Sequence, residues 1–279
     1  MIHILKMVEA LIFLACAGFV GSIIPFRYAH ILAAGGWVAI VAALFTELPY
    51  YFSVNNFLYP TFALLSIPFL AITLRNLYNK DPVLMQLSRA AALAFIIYAP
   101  FAFIPALGDW LINIVVGQVA WMLELVQLPV TLPLWNIVAR NGFRTEIILG
   151  CTGIQSIAIL LGVAAGVRTT LRQKVLAFLL IAPVIYFLNL VRNTFVIAAY
   201  TEQWFPYLPE IASNGEYGYE SFFWAHNVVS EILALFVLIG LAYELFIIIP
   251  DLGDWANDLY TLYRDDTVRF LQRMHLVPK

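Results

Sequence analysis

The chain has 279 residues, 63% of them hydrophobic and 11% charged, with a mean hydropathy of +0.88. Soluble domains carry about 25% charged residues, so this composition excludes an ordinary water-soluble globule. A formal charge of −2, with 15 basic residues spread thinly, excludes a nucleic-acid binder. Two cysteines, Cys16 and Cys151, build no disulfide framework, and His3, His30, His226 and His275 are too scattered for a local metal-ligand cluster, so no cofactor or metal is expected.

About 20 apolar residues cover the hydrocarbon of a bilayer. Runs of that kind predict seven spans, at 10–26, 29–46, 57–74, 90–107, 151–167, 175 to about 199, and 222–249. The first is expected to be a retained span rather than a cleaved signal peptide, because it runs on through Gly21 and Pro25 without a small-x-small site. Basic residues in short loops favour the cytoplasm. Placing Arg27, the loop 75–89, the loop 168–174 and the tail with Arg264, Arg269, Arg273 and Lys279 inside accounts for eleven of the fifteen. Lys6, Arg140 and Arg144 are then outside and Arg192 is within a span, which predicts an outer N-terminus and a cytoplasmic C-terminus.

Segment 110–128 is apolar enough to cross, but a crossing there inverts every later loop. Asn113, Gly117, Glu124 and Gln127 share a narrow sector at about 100° per residue, which predicts an amphipathic helix in the outer interface, with a span lining a cavity as the rival reading. The runs 130–139 and 143–150 flank Arg140-Asn141-Gly142 and predict a short extracytoplasmic β-hairpin, since Asn-Gly supplies the two φ > 0 positions of a tight turn. Such a hairpin must rest on protein or in the headgroups. After Ile249, Trp255, Leu259, Leu262, Tyr263 and Phe270 share a broad face and predict a cytoplasmic interfacial helix. The fold class is therefore an all-α polytopic membrane protein. It divides into N-terminal transmembrane helices (1–109), an outer interfacial helix and hairpin (110–150), a catalytic transmembrane core (151–249) and a cytoplasmic tail (250–279).

An ionisable group at the centre of a membrane span costs about 2.5–3.5 kcal/mol, so each is a functional candidate. Cys151 lies 17 residues before Arg168, Arg192 lies 18 after Lys174, and His226 lies 18 before Glu244. At about 1.5 Å per residue, three successive spans bring a thiol, a guanidinium and an imidazole to one outer-leaflet level. Cys151 is expected to open a helix whose N-terminus favours the thiolate, with Gln155 one turn along and Thr152 and Ser156 on the neighbouring stripe. Asn189, Arg192 and Asn193 share a face at i, i+3 and i+4, and His226 and Asn227 lie one turn before Ser230 and Glu231. Taken singly, each residue has a plainer reading: Cys151 as a small apolar filler like Cys16, Arg192 snorkelling to headgroups, His226 bonded to a headgroup, Glu231 as a structural partner in the bundle. Their shared depth favours a common site.

At Gly150-Cys151-Thr152-Gly153-Ile154-Gln155-Ser156, Asn189-Leu190-Val191-Arg192-Asn193 and Phe223-Trp224-Ala225-His226-Asn227, in that order on successive spans, the sequence resembles the exosortase/archaeosortase family of polytopic membrane transpeptidases. The Cys-Thr-Gly form is nearest the archaeal branch, whereas His226 stands where that branch often has arginine and exosortases usually have histidine. The resemblance implies a C-terminal sorting signal as partner: a short motif of Pro-Gly-Phe type, a transmembrane helix and a basic tail, on secreted surface proteins such as S-layer glycoproteins. It further implies cleavage at the outer face and transfer of the new C-terminus to a membrane lipid. Cys151 would be the nucleophile, His226 the general acid/base and Arg192 the stabiliser of thiolate or oxyanion, with Asn189 orienting Arg192 and Asn193, Gln155, Ser156 and Asn227 as a polar shell. From the residues alone a transporter or scaffold, with polar groups lining a substrate path, is the alternative. Against it, the groups cluster near one surface and no inverted repeat is present. Gly-x-Ser-x-Gly, His-Glu-x-x-His and paired Asp motifs are absent from the spans, which disfavours serine, zinc and aspartyl chemistry.

Overall fold

A backbone in hydrocarbon has to satisfy its own N–H and C=O groups, so apolar runs of this length fold as helices. The computed structural model describes residues 2–273; His275 and Lys279 of the predicted tail lie outside the described residues. In chain order come α1 (Ile2–Ile23), α2 (Ala29–Thr46), α3 (Leu48–Ser53), α4 (Leu58–Tyr78), α5 (Pro82–Phe103) and α6 (Pro105–Leu125). Strands β1 (Thr131–Leu134), β2 (Ile137–Arg140) and β3 (Phe143–Glu146) and a 3-10 turn (Leu149–Thr152) lead into α7 (Ile154–Gly166) and α8 (Leu171–Thr201). The short helices α9 (Pro209–Ala212) and α10 (Tyr219–Phe222), a π-helix (Phe223–Ser230), α11 (Glu231–Ile248) and α12 (Pro250–Arg273) complete the chain.

Local sequence explains where the predicted bounds moved. Helix α5 starts eight residues before the predicted span because Asp81 caps it, accepting from the N–H groups of Val83 and Leu84, with Pro82 at the first helical position. Helix α8 starts at a capping box in which the Thr170 hydroxyl accepts from Gln173 N–H and Gln173 Oε1 accepts from Thr170 N–H. Helix α7 is only 13 residues long, because Gly153 adopts φ 79° and separates the 3-10 turn from the α-helix. Cys151 thus sits in the turn before α7 and does not open the helix itself.

Two ends of the bundle can be followed through cross-links. At the basic end, Trp255 Nε1 donates to the Val83 carbonyl and Gln173 Nε2 to the Ile248 carbonyl, which brings the starts of α5, α8 and α12 and the end of α11 together. At the opposite end, Gln155 Nε2 donates to Tyr98 Oη, Asn55 to the Ser213 carbonyl and Asn227 to the Val54 carbonyl. Between these ends α5 and α7 pack closely through small residues: a Cβ at Gly162 would come within 2.6 Å of Ala94 N.

Seven helical stretches are long and apolar enough to cross a membrane: 6–23, 29–53, 58–78, 82–103, 105–125, 171–201 and 219–248. The number matches expectation, but α6 qualifies and the shorter α7 does not. Yet α6 begins just beyond Tyr98, at the Cys151 end, and leads at its other terminus into a sheet seated on the C-terminus of α8. Both termini of this 21-residue helix thus lie toward the Cys151 end, although its length and hydropathy alone would also let it cross. The chain passes between the two ends on α1, α2–α3, α4, α5, α7, α8 and α10–α11, which makes the protein an all-α polytopic membrane protein with one small sheet.

That sheet corrects the predicted hairpin. It is a three-stranded antiparallel meander, order β1-β2-β3, because the run 130–139 breaks at Trp135-Asn136 into two strands. The Asn141-Gly142 turn has φ 51° and 84°, as the Asn-Gly pair dictates. The sheet rests on protein: Val138 and Ile147 are buried with Val119 and Leu123 of α6 and Ile197 and Ala198 of α8. The tail α12 is also more closely held than a helix lying on lipid. Trp255 and Leu259 pack into the core of α5, α7, α8 and α11, and Leu262 and Tyr263 pack with Leu77 and Leu84, while Phe270 stays exposed. Tyr263 Oη and Thr73 Oγ1 are 2.6 Å apart, and burial pushes the Tyr263 phenol up to about 12.

Candidate active site

Residues of α8 organise the site. Asn189 and Asn193 are one turn apart, and each Nδ2 donates to the same acceptor, the carbonyl oxygen of Cys151, at 2.7 Å. Both lone pairs of that carbonyl are thereby used, which fixes the 3-10 turn carrying the thiol against α8. Asn189 was expected to orient Arg192, but its amide is committed to Cys151. Gly153 makes the approach possible, since a Cβ there would lie 3.3 Å from Asn189 Cβ and Cγ. Cys151 is half-buried, as are Arg192 and His226. Cys16 lies in α1, remote in the chain and outside this network.

Arg192, flanking the two asparagines on the same side of α8, reaches the π-helix. Its NH2 group is 3.2 Å from His226 Nε2, and the other ring nitrogen, Nδ1, is 2.8 Å from Asn227 Oδ1. Asn227 Nδ2 donates in turn to the Val54 carbonyl at 3.1 Å, an acceptor shared with Tyr219 Oη at 3.2 Å. The imidazole stacks on Phe222 with ring centroids 4.9 Å apart and planes at 12°. A π-helix is rare and occurs mostly at functional sites. Here the widened turn holds His226 and its sequence neighbour Asn227 in side-chain contact.

One face of α8 thus ties the three singled-out residues together, Cys151 through its backbone and His226 through Arg192. Gln155 lies apart, exposed and bonded to Tyr98 Oη at 3.3 Å, and Ser156 is half-buried on α7 with no hydrogen-bond partner among the described residues. Glu231 serves a structural contact: its Oε1 accepts from Asn56 Nδ2 at 2.9 Å. The sequence reading missed the segment between α3 and α4. Val54 and Asn56 bind the π-helix and α11 there. The adjacent amides Asn55-Asn56 between two apolar spans were the available signal, and Asn56 is only 6% exposed.

Chemically, one face of α8 carries both the turn that bears a thiol and a permanent cation bonded to an imidazole, which is held on both ring nitrogens and one face. Those are the groups for nucleophilic acyl transfer. Among the described residues no three His, Cys, Asp or Glu side chains come together to hold a metal ion.

Comparison with known proteins supplies an independent line. Archaeosortase A of Natronomonas pharaonis is 26% identical over 285 aligned residues, covering 94% of this chain and 90% of that protein. Archaeosortase A of Haloferax volcanii is 30% identical over 214, covering 68% and 70% respectively. No solved structure matches. The family described as transmembrane exosortase (Exosortase_EpsH) matches residues 7–211, a stretch that includes Cys151 and Arg192 and stops short of His226. A match over well more than half of the chain, with the two archaeosortase A relatives beside it, shows that this chain belongs to the transmembrane exosortase family.

Proposed function

We propose that the protein is an archaeosortase-type membrane cysteine transpeptidase that cleaves a C-terminal sorting signal of surface proteins and transfers the new C-terminus to a lipid. The observation that carries this reading is the α8 face on which Asn189 and Asn193 hold the Cys151 carbonyl while Arg192, beside them, bonds His226. Such a thiol, guanidinium and imidazole on three successive passes of a family member have a natural use in acyl transfer. The signal is taken to be of Pro-Gly-Phe type, followed by a transmembrane helix and a basic tail.

In the reaction, Cys151 gives its S–H proton to His226 and the sulfur attacks the scissile carbonyl. The developing oxyanion is stabilised by Arg192. As the C–N bond breaks, the proton passes from His226 to the leaving amine, leaving a thioester on Cys151. The hydroxyl or amine of a lipid headgroup then attacks the thioester, loses its proton to His226 and releases the thiol. The catalytic core is the region 151–249. The location of Cys151, Arg192 and His226 at the end opposite Arg27, the loops 75–89 and 168–174 and the basic tail supports an outward-facing site and a cytoplasmic C-terminus.

Replacing Cys151 by Ala or Ser is expected to abolish cleavage of a reporter carrying a C-terminal sorting signal; normal processing by either variant contradicts the thioester. In a Cys16→Ser background, a membrane-impermeant thiol reagent should label Cys151 in intact cells, and labelling only after permeabilisation contradicts the orientation.

A further inference from the structure

The hydrogen bonds around His226 determine more than its place. Each neighbour has a fixed polarity: a backbone carbonyl only accepts, and an arginine nitrogen only donates. Because the Val54 carbonyl accepts from the Asn227 amide, the amide is oriented with Nδ2 toward Val54 and Oδ1 toward the imidazole. Oδ1 carries no hydrogen, so the 2.8 Å contact requires a proton on His226 Nδ1. On the other side of the ring, the 3.2 Å contact with Arg192 NH2 requires Nε2 to be the acceptor. Two partners from different elements thus demand the same tautomer, Nδ1–H with a free pair on Nε2, and Phe222 fixes the plane of the ring between them.

We infer that Asn227 is a positioning residue that holds His226 as the Nδ1–H tautomer, so that proton uptake at Nε2 breaks the Arg192–His226 hydrogen bond and frees the guanidinium for the oxyanion. The inference rests on Cys151, Arg192 and His226 acting as one site. When the thiol proton moves to Nε2, the imidazole has no pair left for Arg192, and two like charges face each other. The Arg192 donor is released in the step in which negative charge forms on the attacked carbonyl oxygen. Asn227 Oδ1 meanwhile keeps accepting from Nδ1–H, now on an imidazolium, which strengthens that bond. When Nε2 gives its proton to the leaving amine, the free pair returns and Arg192 can bond it again. Asn227 contacts no reacting atom; its effect passes through His226.

The test uses the full-length enzyme in nanodiscs with nitrogen-15-labelled histidine, the His226 resonances being identified by their loss in His226→Gln. The native protein should show a protonated, hydrogen-bonded Nδ1 and an unprotonated Nε2. Asn227→Leu, similar in size but without an acceptor, should lose the hydrogen-bonded Nδ1–H signal and cleave the signal peptide with kcat lower by about tenfold or more and KM little changed. Asn227→Asp keeps an acceptor for Nδ1–H while losing the donor to Val54. It should retain the signal and recover a kcat above that of the Leu variant, which separates the role at the ring from the anchor on Val54. A native Nε2–H tautomer overturns the inference, and so does an Asn227→Leu enzyme with native kcat and an intact Nδ1–H signal. If His226→Gln is inactive in either case, the active-site reading stands and only the role of Asn227 falls; a fully active His226→Gln removes the active-site reading itself.

Discussion

The two ends of the bundle both hold polar side chains among apolar helices, and they use them differently. At the basic end, Asp266 is 3% exposed and accepts from Asn76 Nδ2 at 2.7 Å, from Arg75 at 3.4 Å and from Arg269 at 2.6 Å. Its charge is spent on closing α12 against α4. At the Cys151 end, the asparagines use up a backbone carbonyl, whereas Arg192 and His226 stay half-buried and bond one another. Burial with full pairing marks a structural tie; partial exposure with exchangeable partners marks groups that can change partners during a reaction. Cost alone does not distinguish the two, because both ends bear the expense of polar groups in an apolar setting.

Substitutions sharpen that contrast by separating rate from stability. The largest expected effect is that of Arg192→Lys, which keeps the charge but loses the planar fork and its reach to His226. A loss of about 10²- to 10³-fold in kcat is expected, as for removal of an oxyanion donor, with little change in thermal stability. Full activity in a cleavage assay would make Arg192 a lipid anchor and erase the difference between the ends. Next, Asp266→Ala removes the buried acceptor that Asn76, Arg75 and Arg269 share, leaving Asn76 only the Ile72 carbonyl, and should lower stability by about 2 kcal/mol, read as a reduced unfolding midpoint in detergent, while activity per folded molecule stays native. A kcat loss as large as that of Arg192→Lys would show that the two ends are coupled. Smaller again, Gly153→Ala forces a side chain into the left-handed region and against Asn189, and about 1–2 kcal/mol of destabilisation is expected there. This variant tests whether the turn is held as tightly as the two amide bonds imply, because an unchanged midpoint would mean that the turn can shift away from α8.

Much of this was legible in the sequence because hydrocarbon permits few solutions. Apolar length and basic loops predicted the passes, and a shared depth predicted that Cys151, Arg192 and His226 belong to one level. Asn141-Gly142 likewise predicted its turn, since few other residue pairs adopt those backbone angles so readily. Hydropathy failed where a short-range signal competes with it. Asp81 and Pro82 set the start of α5 ahead of Arg89, and Gly153 delays the start of α7 until after Cys151, so that a thiol expected on a helix stands in a turn. The partners of the site residues were harder to read. Which atom Asn189 bonds depends on how closely α8 approaches the turn, and the Val54 and Asn56 contacts join residues more than 170 positions apart in the chain, beyond the reach of any local pattern.

The central claim is that Cys151 carries the acyl group. Incubating the purified enzyme with a peptide bearing a C-terminal sorting signal, quenching in acid, digesting and weighing the fragments tests it directly. The account predicts a thioester adduct on the fragment containing Cys151 and none on that containing Cys16. Cleaved substrate accompanied by an unmodified Cys151 at every time point, together with undiminished cleavage by Cys151→Ala, contradicts it.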